Sequence, residues 1–353
     1  MKVSFVSSQA INQAMRYQML RMQADLVKAN KEMVTFRVAD VGLALGARTG
    51  MSVSFHREID RLKGLTDTNQ LAASRLSSTQ VVLQQLTEDS NKLTQAFTTA
   101  MSGAGDSKIA RFEAEAALSS MNGLLNSHLN GEFLFAGINT DVKPMGDFLD
   151  PSSPSRSAMN NAFAAHFGFG VDSANVANIA AADMQQFLDT VLTPMFIGPN
   201  GSAGSGWSDW SSASDKTIQS RISLTENAQT SVSANIEPIR RLAMAAASVS
   251  FMVGIGMHSS IENLVLTHAQ EHLGGAVAGL ANQQGYTGIA QERLERANER
   301  MSTQTDLLKK GLIDLEGVDE NEAAVNVKGL LAQIELSYSL TARMQQMSLL
   351  KYL

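Results

Sequence analysis

The sequence lacks several features that point to particular classes of protein. There is no cysteine among its 353 residues, which excludes disulfides, thiolate metal ligands and thiol nucleophiles. It also has no excess of positive charge, since the net charge is −6 and basic and acidic residues are mixed. Nucleic acid is therefore not an expected partner.

Long hydrophobic runs are missing as well. The longest weakly polar run, residues 242–257, is interrupted by serines and glycines. It falls short of the roughly 20 apolar residues that a membrane span needs. Residues 1–8 lack the positive segment and apolar core of a secretory signal peptide. We expect neither a membrane partner nor export by the general secretory route.

What the sequence does have is helical periodicity, most clearly at its two ends. Hydrophobic residues make up 44% of the chain, enough for two or three domains. In residues 8–34 and again in residues 320–353, apolar residues recur every three or four positions on two opposite faces. A surface helix normally shows one such stripe, so each terminal helix must be covered from two directions. We expect each to cover the other, and a neighbouring copy of the chain to cover the second faces.

The second apolar face of each terminal helix consists of few residues. In the first helix the second face is a heptad of Leu20, Val27 and Val34, and in the last helix it begins with Leu336 and Leu340. The residues predicted to carry helix pairing and polymerisation are Met15, Met19, Met22, Leu26, Met33, Leu331, Ile334, Tyr338, Leu340, Met347, Leu349 and Leu350.

Between the ends, three further helical segments are predicted. An unbroken alternation of three- and four-residue steps over residues 62–100 is typical of a coiled coil, although Asn69, Thr79 and Ser90 dilute it. A third helix covers residues 107–128, and a fourth seam covers residues 266–315, with a weak point at residues 285–288. Gly317 then supplies a stop, and Asp319 with Glu322 forms a capping box for the last helix.

Residues 141–235 differ in character. Five of the six prolines, both tryptophans and a glycine-serine loop fall there. Just before this stretch, Asn130 and Gly131 predict a type I′ turn followed by a short strand. Residues 218–225 and 229–235 are expected to pair as a hairpin, and residues 176–192 to form short helices.

The sequence therefore predicts a mainly α fold, with nested long antiparallel helices from both chain ends in a coiled-coil-like bundle and a small α+β domain inserted mid-chain. Residues 1–45 and 318–353 form the predicted terminal-helix polymerisation domain. Residues 46–140 and 236–317 form the long-helix bundle domain, and residues 141–235 the inserted outer domain.

One motif could carry chemistry. His268, Glu271 and His272 form H-x-x-E-H, the inverted zinc-peptidase pattern, in which the histidines bind zinc and the glutamate activates water. A third protein ligand is required, and no nearby carboxylate is placed to supply it. We expect the histidines to be half-buried neighbours of the helix seam, and we expect no catalytic residue, metal or cofactor.

The nested order of the helices and two segments together resemble the flagellin superfamily. The two segments are residues 340–353 and residues 314–319, which precede an alanine-rich helix. Within that superfamily, residues 130–137 (NGEFLFAG), followed by residues 139–141 and Lys143-Pro144, are most similar to the hook-filament junction proteins. The resemblance covers about residues 1–145 and 235–353. The sequence departs from the family pattern at Phe36, where the family usually has glycine, a residue suited to backbone conformations that phenylalanine resists.

The resemblance implies a secreted, extracellular structural protein of the bacterial flagellum that is not an enzyme. It implies export through the flagellar type III apparatus, an export chaperone, and polymerisation with copies of itself. Hook-associated protein 1 would lie on the hook side and flagellin on the filament side. Flagellin itself, the filament subunit, shares the terminal helices and is the alternative. The zinc peptidase is a more distant alternative.

Overall fold

The computed structural model describes residues 8–103 and 105–349, which are mostly helical. The helices are α1 (Ser8–Thr35), α2 (Val41–Leu45), α3 (Thr49–Met101), α4 (Ser107–Leu125), α5 (Pro154–Phe167), α6 (Ala181–Phe187), α7 (Thr193–Phe196), α8 (Glu237–Met252), α9 (Ser259–Glu316) and α10 (Glu320–Leu349). The strands are β1 (His128–Leu129), β2 (Glu132–Phe133), β3 (Gln219–Arg221) and β4 (Asn227–Gln229). The predicted mainly α fold with a small mid-chain sheet region is confirmed.

The long helices α3 and α9 follow their apolar seams. Seam residues of α3 from Leu62 to Phe97 are buried or half-buried, including the polar residues Asn69, Thr79 and Ser90. Thr79 and Ser90 donate their hydroxyls to carbonyls one turn back, so burial leaves neither hydroxyl unpaired. Helix α9 continues through residues 285–288 without a break, although a weak point is predicted there.

At the boundary between α9 and α10, the predicted stop at Gly317 and the Asp319 half of the predicted capping box are present. Helix α9 ends at Glu316, and Gly317 leaves the helical pattern. The Asp319 carboxylate then accepts hydrogen bonds from the backbone N–H groups of Asn321 (2.8 Å) and Glu322 (3.1 Å). These are donors that a helix N-terminus otherwise leaves unsatisfied.

The turn between β1 and β2 is confirmed in detail. Asn130 and Gly131 have φ values of 55° and 86°, as both central residues of a type I′ turn require. The hairpin is short, with His128 paired to Phe133 and Leu129 to Glu132. Beyond it the chain bends at residues 134–135 and does not continue as the predicted strand, and Ala136 makes an isolated bridge to Ser233.

The mid-chain region is more irregular than predicted. Strands β3 and β4 pair antiparallel as a hairpin, as predicted, but each strand has only three residues. The predicted helices over residues 176–192 are a 3₁₀ turn (Ala174–Asn178), α6, and a π-helical turn (Leu188–Leu192) that leads into α7. The aromatic side chains of Phe196, Trp207 and Trp210 are buried together.

Helix α8 was not predicted as a separate element. All of its residues from Leu242 to Met252 are buried, and it packs against α4. Small residues such as Ala243 and Ala247 allow neighbouring helices to approach it closely.

The chain divides into two compact units. One contains Met1–Gly64 and Arg300–Leu353, and the other contains Leu65–Glu299. In the second unit, one hydrophobic core combines side chains of α4, α8 and the first part of α9 with those of the mid-chain region. The division into three domains with the boundaries given above remains a prediction. Among the described residues, no helix is long and apolar enough to cross a membrane.

Candidate polymerisation surface

The first compact unit pairs helix α1 with helix α10, the two helices whose double apolar faces the sequence singles out. On α1, the stripe of Met15, Met19, Met22, Leu26 and Met33 is half-buried. Ala29 in the same stripe is buried. The chain itself therefore covers the first apolar face of α1.

Helix α10 turns its own stripe inward. Ala323, Val327 and Ile334 are buried, and Ser337 and Thr341 continue the row as half-buried residues. Val327 and Ile334 belong to the predicted row, whereas Leu331 and Tyr338 of the same predicted row are 45% and 51% exposed. The inward row thus coincides with only part of the predicted one. The Tyr338 hydroxyl nevertheless reaches α1, where it accepts a hydrogen bond of 3.1 Å from Gln23 Nε2.

The second apolar face of α1 is open. Leu20, Val27 and Val34 are 66%, 70% and 72% exposed, and they lie one heptad apart along one side of the helix. On α10, Leu336 and Leu340 are 63% and 50% exposed. These five residues are called the outer stripes. Aligned apolar side chains left in water on paired helices are typical of a surface that another molecule covers.

Part of the predicted surface lies outside what can be described. The side chains of Met347 and Leu349 and all of Leu350 fall beyond the described residues. For Leu331, Ile334, Tyr338 and Leu340 the structure gives positions, and their role in polymerisation stays a prediction.

The end of α1 is tied to the end of α9 by a short antiparallel bridge between Arg37 and Gly317. Val38 N–H donates to the carbonyl oxygen of Glu316 (2.8 Å), and Val318 N–H donates to that of Phe36 (3.1 Å). Phe36 has a φ of 53°, in the left-handed region that glycine adopts without strain. The backbone turn after α1 therefore forms with phenylalanine, at a steric cost.

A buried carboxylate holds the same corner. Glu316 is 2% exposed, and its oxygens contact Ser52 Oγ, His56 Nε2 (3.2 Å) and Arg37 Nη1 (3.6 Å). This cluster joins α3, α9 and the chain just after α1. Sequence reasoning missed it, because Glu316 lies 260 and 264 residues along the chain from His56 and Ser52.

The H-x-x-E-H motif is placed in the second unit, on α9. His268 is buried, with Nε2 3.0 Å from Thr193 Oγ1, and His272 Nδ1 lies 3.0 Å from Arg241 Nη1. Burial lowers the pKa of His268. Burial, with the neighbouring His268 and Arg241, lowers the pKa of His272 to about 4.

The contact between Arg241 and His272 disfavours the binding of a metal ion by the two histidines. The guanidinium of Arg241 donates to the ring nitrogen of His272, and its positive charge would repel a bound dication. Within residues 8–103 and 105–349, no group of three or more histidine, aspartate or glutamate side chains is arranged to hold a metal ion. His268 contacts Thr193 and His272 contacts Arg241, so both histidines pack between α9 and its neighbours.

Comparison with protein families matches both ends of the chain. Residues 6–140 match the bacterial flagellin N-terminal helical region, and residues 271–353 match the bacterial flagellin C-terminal helical region. The two matches include α1, α10 and most of α9, and thus the helices that carry the outer stripes. Comparison with curated proteins finds no match. The chain therefore belongs to the flagellin superfamily, and it is a structural protein that polymerises in the extracellular bacterial flagellum.

Proposed function

We propose that the chain is a subunit of the junction between hook and filament, equivalent to flagellar hook-associated protein 3. The observation that carries the proposal is the segment from Asn130 to Gly137, whose sequence resembles the junction proteins. Its type I′ turn and bridge to Ser233 give the segment a defined structural place.

The same segment is tightly fitted. Gly137 has a φ of 66°, and a Cβ at this position would lie 2.4 Å from the carbonyl oxygen of Ser214 and 2.5 Å from that of Lys216. Only glycine fits such an approach. On α3, Arg75 donates to the Glu132 carboxylate (2.6 Å) and to the Phe133 carbonyl oxygen (2.8 Å). These contacts support a specific structural role for the motif, which would orient the mid-chain region relative to α3 and α4.

Assembly would use the outer stripes. When a neighbouring copy covers Leu20, Val27 and Val34, each large apolar side chain contributes about 1.5–3 kcal/mol if fully buried. The three together would supply several kcal/mol per subunit contact. Leu336 and Leu340 of α10 would add to the same interface. No chemistry is required of the protein in this function.

The proposed partners follow from this position. Copies of the chain would contact each other, hook-associated protein 1 would lie on the hook side, and flagellin would lie on the filament side. Before export through the flagellar type III apparatus, a chaperone would cover the outer stripes, because uncovered apolar side chains promote aggregation.

The test is the position and number of copies in the flagellum. An epitope inserted in the exposed turn at residues 150–152 would be labelled with gold-conjugated antibody on intact flagella. The expected result is a cluster of label where hook meets filament, in a number far below that of the filament subunits. Motility of the tagged strain controls for disruption by the insert.

Flagellin is the second candidate, because both matched family regions carry its name. In that case the label would run along the entire filament. A deletion strain separates the two functions again. Loss of a junction subunit would release intact flagellin into the medium while hooks remain, whereas loss of flagellin would leave no filament protein to release.

A further inference from the structure

The mid-chain region contains an open pocket that plays no part in the proposed polymerisation. The end of α5, the 3₁₀ turn Ala174–Asn178 and helix α6 surround it, and its cavity volume is about 540 Å³. This volume is within the range of pockets that hold small ligands. The residues that line it are His166, Phe167, Phe169, Asn175, Asn178, Ile179, Asp183 and Gln186.

One side of the pocket is aromatic and rigid. Phe167 and Phe169 are half-buried, with ring centroids 6.1 Å apart, and His166 lies edge-on to Phe167 at 4.7 Å. Behind them, the fully buried rings of Phe163 and Phe187 lie 4.5 and 5.3 Å from Phe167. Rings held by a packed core lose little conformational entropy when a ligand binds.

The other side is polar. Asn175, Asn178, Asp183 and Gln186 are exposed at the rim. Within the described part of the chain, none of these four side chains makes a hydrogen bond or an ion pair. A side-chain amide both donates and accepts hydrogen bonds and an ionised carboxylate accepts them, so the rim presents several unused donors and acceptors.

The rim also limits the charge of a ligand. Asp183 is the one formally charged side chain among the lining residues. A carboxylate at the rim repels an anionic ligand and tolerates a neutral one. Large apolar ligands are disfavoured as well, because their binding would strip water from four polar groups without replacing its hydrogen bonds.

We propose that this pocket binds a neutral saccharide. A sugar ring has an apolar face of C–H groups that can lie on Phe167 and Phe169. The hydroxyls at its edge can form hydrogen bonds with the amide and carboxylate groups of the rim. The combination of aromatic wall and unpaired planar polar groups is what such a ligand requires. The inference is independent of the position of the protein in the flagellum.

The test uses the purified full-length chain. An array of neutral, sialylated and sulfated oligosaccharides is probed first, and titration calorimetry with the best neutral oligosaccharide gives its affinity. We expect neutral oligosaccharides to bind and sialylated ones to give no signal. The variant Asn178→Ala should weaken binding by about tenfold, the size expected when one or two hydrogen bonds of a ligand are lost.

A matched control exists on α5. Asn161 is exposed and does not line the pocket, so Asn161→Ala should leave the affinity unchanged. Phe169→Leu keeps apolar volume but removes the flat ring, and it should weaken binding while circular dichroism remains that of the parent. Asp183→Asn should admit sialylated oligosaccharides.

Three results would overturn the proposal. They are no binding of any neutral oligosaccharide at millimolar concentration, equal effects of Asn178→Ala and Asn161→Ala, and preferential binding of anionic oligosaccharides by the parent chain.

Discussion

Arg240 Nη1 donates a hydrogen bond of 3.0 Å to the main-chain carbonyl oxygen of Phe196. The guanidinium is 3% exposed and also donates to the carbonyl oxygens of Asn235 (2.9 Å), Ser202 and Gly201. One side chain of α8 thus satisfies four carbonyls of the mid-chain region. Burial lowers the pKa of Arg240, but a guanidinium remains charged at neutral pH.

The first prediction concerns this arginine. Arg240→Met should lower the free energy of unfolding by about 3 kcal/mol, because it removes four charge-assisted hydrogen bonds and leaves the carbonyl oxygens of Asn235 and Gly201 without this donor. Urea unfolding followed by tryptophan fluorescence measures the change, since Trp207 and Trp210 lie in the same core. The control is Arg296→Met, whose side chain is 57% exposed and should change stability by no more than about 0.5 kcal/mol. Equal effects of the two substitutions would contradict the prediction.

The second prediction separates polymerisation from folding. Val27→Asp alters a side chain that is 70% exposed, so the free energy of unfolding of the monomer should change by less than about 0.5 kcal/mol. Assembly should be lost, because the outer stripe would bury an unpaired charge. Light scattering during polymerisation and urea unfolding of the monomer are the two measurements.

Val81→Asp provides the matched control for Val27→Asp. Val81 is 66% exposed, and it lies on α3 in the other compact unit. This variant should assemble as the parent does. If it fails to assemble while Val27→Asp assembles normally, the outer stripes are not the contact surface.

The third prediction concerns the turn after α1. Phe36→Gly should raise the free energy of unfolding by about 0.5–1 kcal/mol, because glycine adopts a φ of 53° without the 1–2 kcal/mol penalty of other residues. Its greater freedom in the unfolded chain offsets part of that gain. Phe36→Ala keeps the penalty, so this variant should not be stabilised. Chemical denaturation of the three proteins at one pH makes the comparison, and a gain in the alanine variant would refute the backbone explanation.

The fourth prediction is a dependence of stability on pH. The pKa of His272 is lowered from 6.5 to about 4 in the folded chain, so folding favours the neutral ring. The stabilisation is complete above pH 6.5 and is lost as the pH falls from 6.5 towards 4. His272 is partly exposed, so solvent screening reduces the full value, and we expect a loss of about 2 kcal/mol.

The comparison that isolates this effect is between two histidine variants. Unfolding free energies at pH 7, 5.5 and 4.5 should fall less steeply for His272→Gln than for the parent. His258 is exposed, and His258→Gln should follow the parent curve. Parallel curves for all three proteins would show that His272 is not the source of the pH dependence.

Local patterns in the sequence were sufficient for most of the helical framework. The three- and four-residue steps place α1, α3, α9 and α10 because a helix repeats every 3.6 residues wherever it lies. Asn130-Gly131 defines its turn because both residues tolerate positive φ. The Asp319 cap is equally local, since its partners lie two and three residues away.

Other features depended on contacts between distant segments. The burial of helix α8 on all sides follows from packing against α4 and the mid-chain region. The hydrogen bonds from Arg240 to Phe196 and Asn235 likewise join segments that are distant in sequence. His272 was expected beside the seam, but Arg241 as its neighbour comes from a different helix.

The sequence by itself determined that α1 and α10 each carry two apolar faces, because that property belongs to the order of residues in a single helix. Only the tertiary structure decided which face is covered within the chain. Packing α1 on α10 buries Ala29 and Ile334 and leaves Val27 and Leu340 in water. The physical reason is that two helices can cover only one side of each other, and which side they cover is settled by contacts between α1 and α10, which lie at opposite ends of the chain.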